Sequence, residues 1–210
     1  RTLFFLPSLT PIVASAVIWT WLYNPDWGLL NYALSTIGIK GPKWLADPDS
    51  AMLSLIAVAL WSTIGGNTMI IFLAAVLDVP RHLYESAELD GAGPFQRLRW
   101  VTLPTISPVI LFSVILGVIQ GLQYFTQAYV AAGVAAGQAS QAADVTAVSL
   151  GYPLDSTLMY PVLLYQHGFT DFQMGYASAM AMLLLGVAFS VTLVIVVNSR
   201  RWVHYGGVAR

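Results

Sequence analysis

Four stretches of the sequence carry no formally charged residue, and each is long enough to cross a lipid bilayer. They are residues 2–25, 50–77, 100–143 and 172–199. A membrane-spanning helix needs about 20 predominantly apolar residues. In the hydrocarbon region a single segment can satisfy all its backbone hydrogen bonds only as a helix. The stretches therefore predict an all-α integral membrane protein with four transmembrane helices, at about residues 3–23, 51–77, 105–130 and 174–199.

Composition argues against a water-soluble helical protein. Charged residues make up 9% of the 210 residues, against about 25% in an ordinary soluble domain. Soluble helices also need one polar face, which these stretches lack. With a net charge of −1, nothing indicates a nucleic-acid partner, which requires a basic patch. The chain has no cysteine, which excludes disulfides and thiolate metal sites.

The first stretch has some features of a secretory signal peptide. Arg1 precedes an apolar run that reaches Ala14-Ser15-Ala16, a sequence similar to a cleavage site. Two prolines interrupt the run, however, and it continues past this site to Trp21, unlike a cleaved signal. We therefore interpret it as a membrane span. Because the chain begins with Arg1 rather than Met, we expect it to be a fragment whose natural start is missing.

The distribution of basic residues predicts the orientation. Alternating crossings place Lys40 and Lys43 on one side of the membrane. The other seven basic residues fall on the opposite side, and they are Arg1, Arg81, Arg97, Arg99, Arg200, Arg201 and Arg210. Loops rich in Lys and Arg stay in the cytoplasm. The loop 78–104 is therefore predicted to be cytoplasmic, and the loops 24–50 and 131–173 to lie outside.

Features of the outer segments agree with this orientation. Aromatic residues, which favour the membrane–water interface, cluster at the outer end of the first span, at Trp19, Trp21, Tyr23 and Trp27. The first outer loop contains Asn-Pro-Asp, Gly-Pro and Asp-Pro-Asp, which are turn sequences. In the second outer loop, residues 158–164 are compatible with a short interfacial helix.

The cytoplasmic loop predicts two short helices around a glycine turn. Asp78 is a candidate N-cap, and Pro80 suits a first helical turn. The first helix would end at Gly91, a suitable C′ residue, and Pro94 would open the second. His82, Glu85 and Glu88 also suggest metal ligands by their three-residue spacing. A solvated charged face explains this spacing equally well, and no further ligand completes a site, so we predict no metal.

The same loop resembles the EAA motif of ABC-importer permease subunits. It reads Glu85-Ser86-Ala87, then Asp90-Gly91-Ala92, then Val101-Thr102-Leu103-Pro104. The family pattern is Glu-Ala-Ala, three residues, Gly, nine residues, Ile, one residue and Leu-Pro, and the spacing matches at every position. Ser86 and Val101 replace an Ala and an Ile. Residues 1–31 and 169–181 also look like maltose-transporter-like sugar permeases, so the resemblance covers nearly the whole chain and is weakest at 131–158.

This resemblance implies a fold and a set of partners. The chain would be a single permease domain, residues 1–210, of a six-helix protein whose first two helices are absent. It would work with a second permease subunit, two cytoplasmic ATPase subunits and an extracytoplasmic substrate-binding protein. The protein would be located in a bacterial or archaeal cytoplasmic membrane. The residues implied to contact the ATPase are Glu85, Ser86, Ala87, Asp90, Gly91, Leu103 and Pro104.

The chain offers no nucleotide site of its own in the usual form. It lacks the Gly-x-x-x-x-Gly-Lys-Ser/Thr sequence that cradles phosphates, and its two lysines lie in a predicted outer loop. We therefore expect a transport subunit without enzymatic activity and without a cofactor. ATP and Mg would bind to the partner ATPase.

Polar residues inside the spans indicate a substrate path. Gln120, Gln123, Tyr124 and Gln127 follow the spacing i, i+3, i+4, i+7 and are predicted to line one helix face. A polar face in a membrane helix bonds to neighbouring helices or borders a water-filled path. Three Gln and a Tyr on one face are more than hydrogen bonding between helices needs, so we favour a role in the substrate path. Asn67, near Trp61, Thr63 and Thr68, is the candidate in the second span.

Two further features of the spans bear on mechanism. Gly117 and Gly121 form a Gly-x-x-x-Gly pair, which predicts close helix packing. No charged residue lies within a span, which argues against a proton or sodium pump. The absence also favours a neutral sugar or oligosaccharide, because a phosphate or carboxylate would call for Arg or Lys. Two alternatives stay open, a glycerophosphodiester carried by the same machinery and an ATP-independent channel or facilitator.

Overall fold

The computed structural model describes residues 7–63, 66–140 and 150–203, without the side chains of residues 138–140. These residues form helices joined by turns, and no strand occurs among them, which confirms the predicted all-α fold. The α-helices are α1 Ile12–Leu22, α2 Leu29–Thr36, α3 Pro48–Thr63, α4 Asn67–Leu77, α5 Arg81–Leu89, α6 Pro94–Arg97, α7 Leu103–Thr105, α8 Ser107–Leu122, α9 Thr126–Ser140, α10 Tyr160–Tyr165 and α11 Met174–Ser199. Two π-helical turns lie at Leu98–Thr102 and Gln166–Thr170.

Helices occupy each of the four predicted spans. Two segments are long and apolar enough to cross a membrane, Ser107–Gly137 and Met174–Ser199. Helices α3 and α4 would supply a third crossing if they form one span. The predicted first span falls on α1, an apolar helix of 11 residues, and its residues 3–6 lie outside the described part of the chain.

The third predicted span differs from the structure. Helix α8 ends at Leu122 and α9 begins at Thr126, so the regular helix is interrupted at residues 123–125. Helix α9 then continues to Ser140, ten residues beyond the predicted helix end at 130. The run from residue 131, which the sequence predicts to leave the membrane, is rich in alanine, the strongest helix former, and several of its alanines are buried.

The first of two compact units comprises residues 1–66 and 122–183. In this unit α9 packs along α1 through small side chains. The buried alanines of α9 are Ala128, Ala131, Ala132, Ala135 and Ala136, and the buried positions of α1 are Ser15, Ala16 and Thr20. Small residues let helix backbones approach closely, which is how helices pack in a membrane without help from the hydrophobic effect.

The described residues of the predicted outer segments contribute to the core of this unit. The core combines Tyr23, Leu55 and Val58 with the alanines of α9, and it includes Leu45 and Val162 from the predicted outer loops. The first loop contains helix α2, which the sequence did not predict. The predicted short helix at 158–164 is confirmed as α10.

The second compact unit comprises residues 67–121 and 184–210. It contains α4, the predicted cytoplasmic loop with α5, α6 and α7, most of α8, and the C-terminal part of α11. No described residue lies within 4 Å of a Cβ built on Gly117 or Gly121. The close packing predicted for this pair is therefore absent from the described part of the chain.

Candidate functional site

The loop helix α5 begins at Arg81. Its N-cap is Pro80, with extended geometry (φ −60°, ψ 130°) and no side-chain cap. The predicted N-cap at Asp78 is wrong, because Asp78 lies two residues before the N-cap, and its backbone N–H donates to the Ala74 carbonyl of the preceding helix at 3.0 Å. The proline sets the start, since its ring fixes φ near the helical value.

The predicted glycine turn is confirmed in detail. Gly91 has φ +75°, a conformation that costs a residue with a Cβ atom about 1–2 kcal/mol. The Gly91 N–H donates to the Glu88 carbonyl at 3.0 Å, and the Ala92 N–H donates to the Ala87 carbonyl at 2.9 Å. These two bonds make a Schellman motif. Helix α5 therefore ends at a fixed point, with the carbonyls of Ala87 and Glu88 satisfied.

Side-chain contacts fix α5 against the rest of the loop. The hydroxyls of Tyr84 and Thr102 are hydrogen-bonded at 2.8 Å, and Thr102 is buried. An ion pair joins Glu88 to Arg97. The predicted second helix starts at Pro94 as expected, and Gln96 caps it by accepting from the Gly93 N–H at 2.8 Å.

The predicted coupling residues form part of the surface of this fixed loop. Glu85, Ser86, Asp90 and Gly91 are exposed, Ala87 and Pro104 are half-buried, and Leu103 is 37% exposed. Sequence reasoning missed two apolar side chains on the same loop, Leu89 (90% exposed) and Phe95 (76% exposed). The sequence feature that could have indicated them is an apolar residue next to a charged stretch of the loop. A rigid surface that mixes carboxylates with apolar groups suits protein docking.

The predicted pathway residues fall on different elements, because the helix expected to carry them is interrupted at residues 123–125. Gln120 is exposed on α8, Gln123 is exposed and Tyr124 half-buried in the interruption, and Gln127 is buried on α9. The interruption removes the regular 3.6-residue periodicity on which the prediction depended. Asn67 is exposed at the start of α4. Whether any of these residues contacts substrate stays a prediction.

Two of these residues bond to α3 within the first unit. The buried Gln127 donates from Nε2 to Ser62 Oγ at 3.0 Å, and Ser62 in turn donates to the Val58 carbonyl at 2.9 Å. The Tyr124 hydroxyl donates to the Leu55 carbonyl at 3.4 Å. These bonds place Gln127 and Tyr124 in helix–helix packing. Gln120, Gln123 and Asn67 are the candidates with exposed side chains.

An aromatic cluster next to the interruption was not predicted. Its rings are those of Phe125, Tyr129, Tyr165 and Phe169, with neighbouring centroids 5.0–5.3 Å apart. The cluster joins α9 to α10 and the following π-helical turn. Residues 125 and 165 are 40 positions apart, so no local periodicity could have indicated it.

Comparison with known proteins gives one consistent family. The sequence model described as "Binding-protein-dependent transport system inner membrane component" matches residues 1–204. The probable ABC transporter permease protein YesP of Bacillus subtilis is 38% identical over 98% of this chain and 61% of its own length. The arabinooligosaccharides transport system permease protein AraP of Halalkalibacterium halodurans is 29% identical over 92% of this chain and 56% of its own.

Other relatives transport substrates of different charge according to their names. The sn-glycerol-3-phosphate transport system permease protein UgpA of Pectobacterium atrosepticum is 29% identical over 92% of this chain and 60% of its own. Among solved structures, a bacterial alginate ABC transporter in complex with an alginate pentasaccharide-bound periplasmic protein superposes with a TM-score of 0.74. That match has 25% identity and covers 95% of this chain and 64% of the other. The chain thus spans about 61% of the length of YesP.

Proposed function

Because this chain belongs to the family of binding-protein-dependent transport system inner membrane components, we propose that it is a permease subunit of an ABC importer. It forms part of the path for a neutral sugar or oligosaccharide across a bacterial or archaeal cytoplasmic membrane. A second permease subunit completes the path, two ATPase subunits supply energy, and an extracytoplasmic binding protein delivers the substrate.

The observation that carries this proposal is the geometry of the loop between α4 and α8. Helix α5 is fixed at its end by the Gly91 turn and in its middle by Tyr84–Thr102 and Glu88–Arg97. A fixed helix can transmit a displacement of the ATPase to the membrane helices, whereas a flexible loop would absorb it. Glu85 on this helix pairs with a basic group of the ATPase, while Leu89 and Phe95 give apolar contact area.

The proposed substrate class follows from chemistry along the candidate path. Gln120, Gln123 and Asn67 offer amide donors and acceptors without charge, which suit sugar hydroxyl groups. The name of AraP, an arabinooligosaccharide permease, supports this class. The second candidate is a glycerophosphodiester or similar phosphoester, which the similarity to UgpA favours. In that case the partner permease must supply the cation that the spans of this chain lack.

The experiment compares Glu85→Ala with Asp49→Ala in the complete importer. Asp49 is an exposed carboxylate in the predicted outer loop and serves as the matched control. We expect Glu85→Ala to lower ATP-dependent uptake of labelled sugar and substrate-stimulated ATPase activity together, with assembly unchanged. The control should retain both activities.

The same assay separates the proposal from its alternatives. Uptake that persists after ATP depletion would indicate a channel or facilitator, and the proposal would be wrong. Uptake of a glycerophosphodiester but of no sugar would select the second candidate. Identification of the subunits that co-purify with the chain tests the proposed partners directly.

A further inference from the structure

Two neighbouring grooves on the first unit have complementary chemistry. One, of about 370 Å³, is apolar and is lined by Val17, Ile18, Trp21 and Leu22 of α1 together with Trp27 and Leu29. The other, of about 640 Å³, shares Trp27 and Leu29 with the first and continues along α2 past Tyr32 to Lys40 and Lys43. An apolar groove thus joins a polar one that contains both lysines of the chain.

From this juxtaposition we infer a binding site for an anionic glycerophospholipid. One acyl chain lies in the groove along α1, and the phosphate lies in the groove beside Lys40 and Lys43. The glycerol region is next to Trp27 and Leu29, where the two grooves meet. This site goes beyond the proposed transport function, since it binds a component of the membrane rather than the transported substrate.

The apolar groove lies on a surface that is suited to lipid. Ile18 is 51% exposed and Trp21 61% exposed on α1, an apolar helix without charge. Trp27 packs edge-on against Trp21 with ring centroids 5.8 Å apart, so the two rings form one wall at the end of this helix. Tryptophan favours the headgroup level, where its apolar ring and its N–H are both accommodated.

The polar groove has an excess of positive charge. Lys40 and Lys43 are exposed, and neither has an ion-pair partner among the described residues. Asp26 also lines this groove, so two ammonium groups face one carboxylate. A headgroup phosphate satisfies the excess charge. The exposed Tyr32 and Leu29 on α2 add the apolar contacts typical of a short helix at a membrane surface.

The groove walls are held in place before any lipid binds. Asn31 donates from Nδ2 to the carbonyls of Pro25 at 3.0 Å and Pro42 at 3.3 Å. Its Oδ1 accepts from Trp44 Nε1 at 2.7 Å. A Cβ on Gly41 would lie 2.0 Å from the same Oδ1, so only glycine fits between the two lysines. This preorganisation reduces the entropy that is lost on binding.

The test measures binding of phosphatidylglycerol and phosphatidylcholine to the complete, detergent-purified transporter by native mass spectrometry. Replacing both lysines (Lys40→Gln with Lys43→Gln) should weaken phosphatidylglycerol binding at least about tenfold and leave phosphatidylcholine binding unchanged. Asp26→Asn should strengthen phosphatidylglycerol binding. The matched control is Asp49→Asn, which removes an exposed carboxylate outside the groove and should change neither affinity.

Position is tested with a phosphatidylglycerol that carries a photoactivatable group in its acyl chain. Cross-links should map to the peptide containing residues 17–29. Equal phosphatidylglycerol affinity in the lysine variant and the unmodified protein would overturn the inference, as would cross-links confined to other segments. If lipid binding is unchanged but binding-protein-stimulated ATPase activity falls in the lysine variant, the surface is a protein-docking site instead.

Discussion

Gly91 is the residue whose role in the loop depends most directly on its backbone. Its φ of +75° is accessible to glycine and disfavoured for any other residue. Apart from its own chain neighbours, no atom of the described residues lies within 4 Å of a Cβ built there, so conformation rather than space imposes the requirement. Gly93, two residues later, has φ −70° and no such requirement. Substitutions at Gly91 and at Gly93 can therefore be compared to separate the effect of the positive φ from the effect of replacing a glycine.

We therefore predict that Gly91→Pro uncouples ATP hydrolysis from uptake. Proline cannot adopt a positive φ, and it lacks the N–H that bonds to the Glu88 carbonyl. Gly91→Ala should cost about 1–2 kcal/mol of local stability and reduce uptake less. The measurement is sugar uptake and ATPase activity in the same vesicles. Gly93→Ala is the matched control, and equal effects at both positions would contradict the prediction.

Gln127 and Gln123 are close in sequence but differ in environment. Gln127 is 4% exposed and bonds to Ser62, whereas Gln123 is exposed. Gln127→Leu should lower thermal stability through loss of a helix–helix hydrogen bond, by about 0.6–1.7 kcal/mol. Gln123→Leu should leave stability unchanged and reduce substrate uptake. Thermal unfolding and uptake measured side by side distinguish the two roles.

A double-mutant cycle between Gln127→Leu and Ser62→Ala checks the packing role. Coupling between the two substitutions should account for most of the loss in stability, since each removes one end of the same bond. If the two effects on stability are additive and Gln127→Leu abolishes uptake without destabilising the protein, the packing role is wrong and Gln127 belongs to the substrate path.

Among the elements, the contact between α1 and α9 depends most on side-chain size. The two helices pack against each other, and small side chains dominate their buried positions, with five alanines on α9 and Ser15, Ala16 and Thr20 on α1. Small side chains let the two helix backbones lie close together. A larger side chain at such a position has no space between the helices and must push the backbones apart. Overpacking of this kind costs about 1–3 kcal/mol.

We predict that Ala132→Leu destabilises the protein by this amount. Ala181→Leu, at an exposed position of α11, serves as the control and should be neutral. Thermal stability in detergent is the measurement. Equal stability of the two variants would show that α1 and α9 are less closely packed than the structure indicates.

At the scale of the whole molecule, the predicted orientation places the loop helix α5 in the cytoplasm and helix α2 outside the membrane. The chain has no cysteine, so single cysteines report their own position without interference. Asp90→Cys, on the exposed end of the loop helix, should be protected from a membrane-impermeant thiol reagent in intact cells. Ser35→Cys, exposed on α2, should be labelled. Labelling of position 90 from outside would reverse the orientation and remove the basis of the coupling proposal.

The sequence by itself determined the features that depend on neighbouring residues. Charge-free length predicted the helical membrane fold, and Pro80, Gly91 and Pro94 predicted the turns of the loop, because their φ preferences are properties of single residues. Even there, the N-cap of α5 is Pro80 rather than the predicted Asp78, since the sequence does not show that the preceding helix still uses the Asp78 N–H.

Tertiary structure decided the features that depend on residues far apart in the chain. The interruption at 123–125 accompanies a bond from Tyr124 to Leu55 and the stacking of Phe125 on Tyr129 and against Tyr165. The alanine run of α9 stays helical and buried because α1 supplies a matching surface. Gln127 is buried where Ser62 of α3, 65 positions earlier in the chain, accepts its Nε2–H. Periodicity describes an undisturbed helix, and in this chain contacts 40 to 69 positions apart determine where the helix is disturbed and which polar side chains remain exposed.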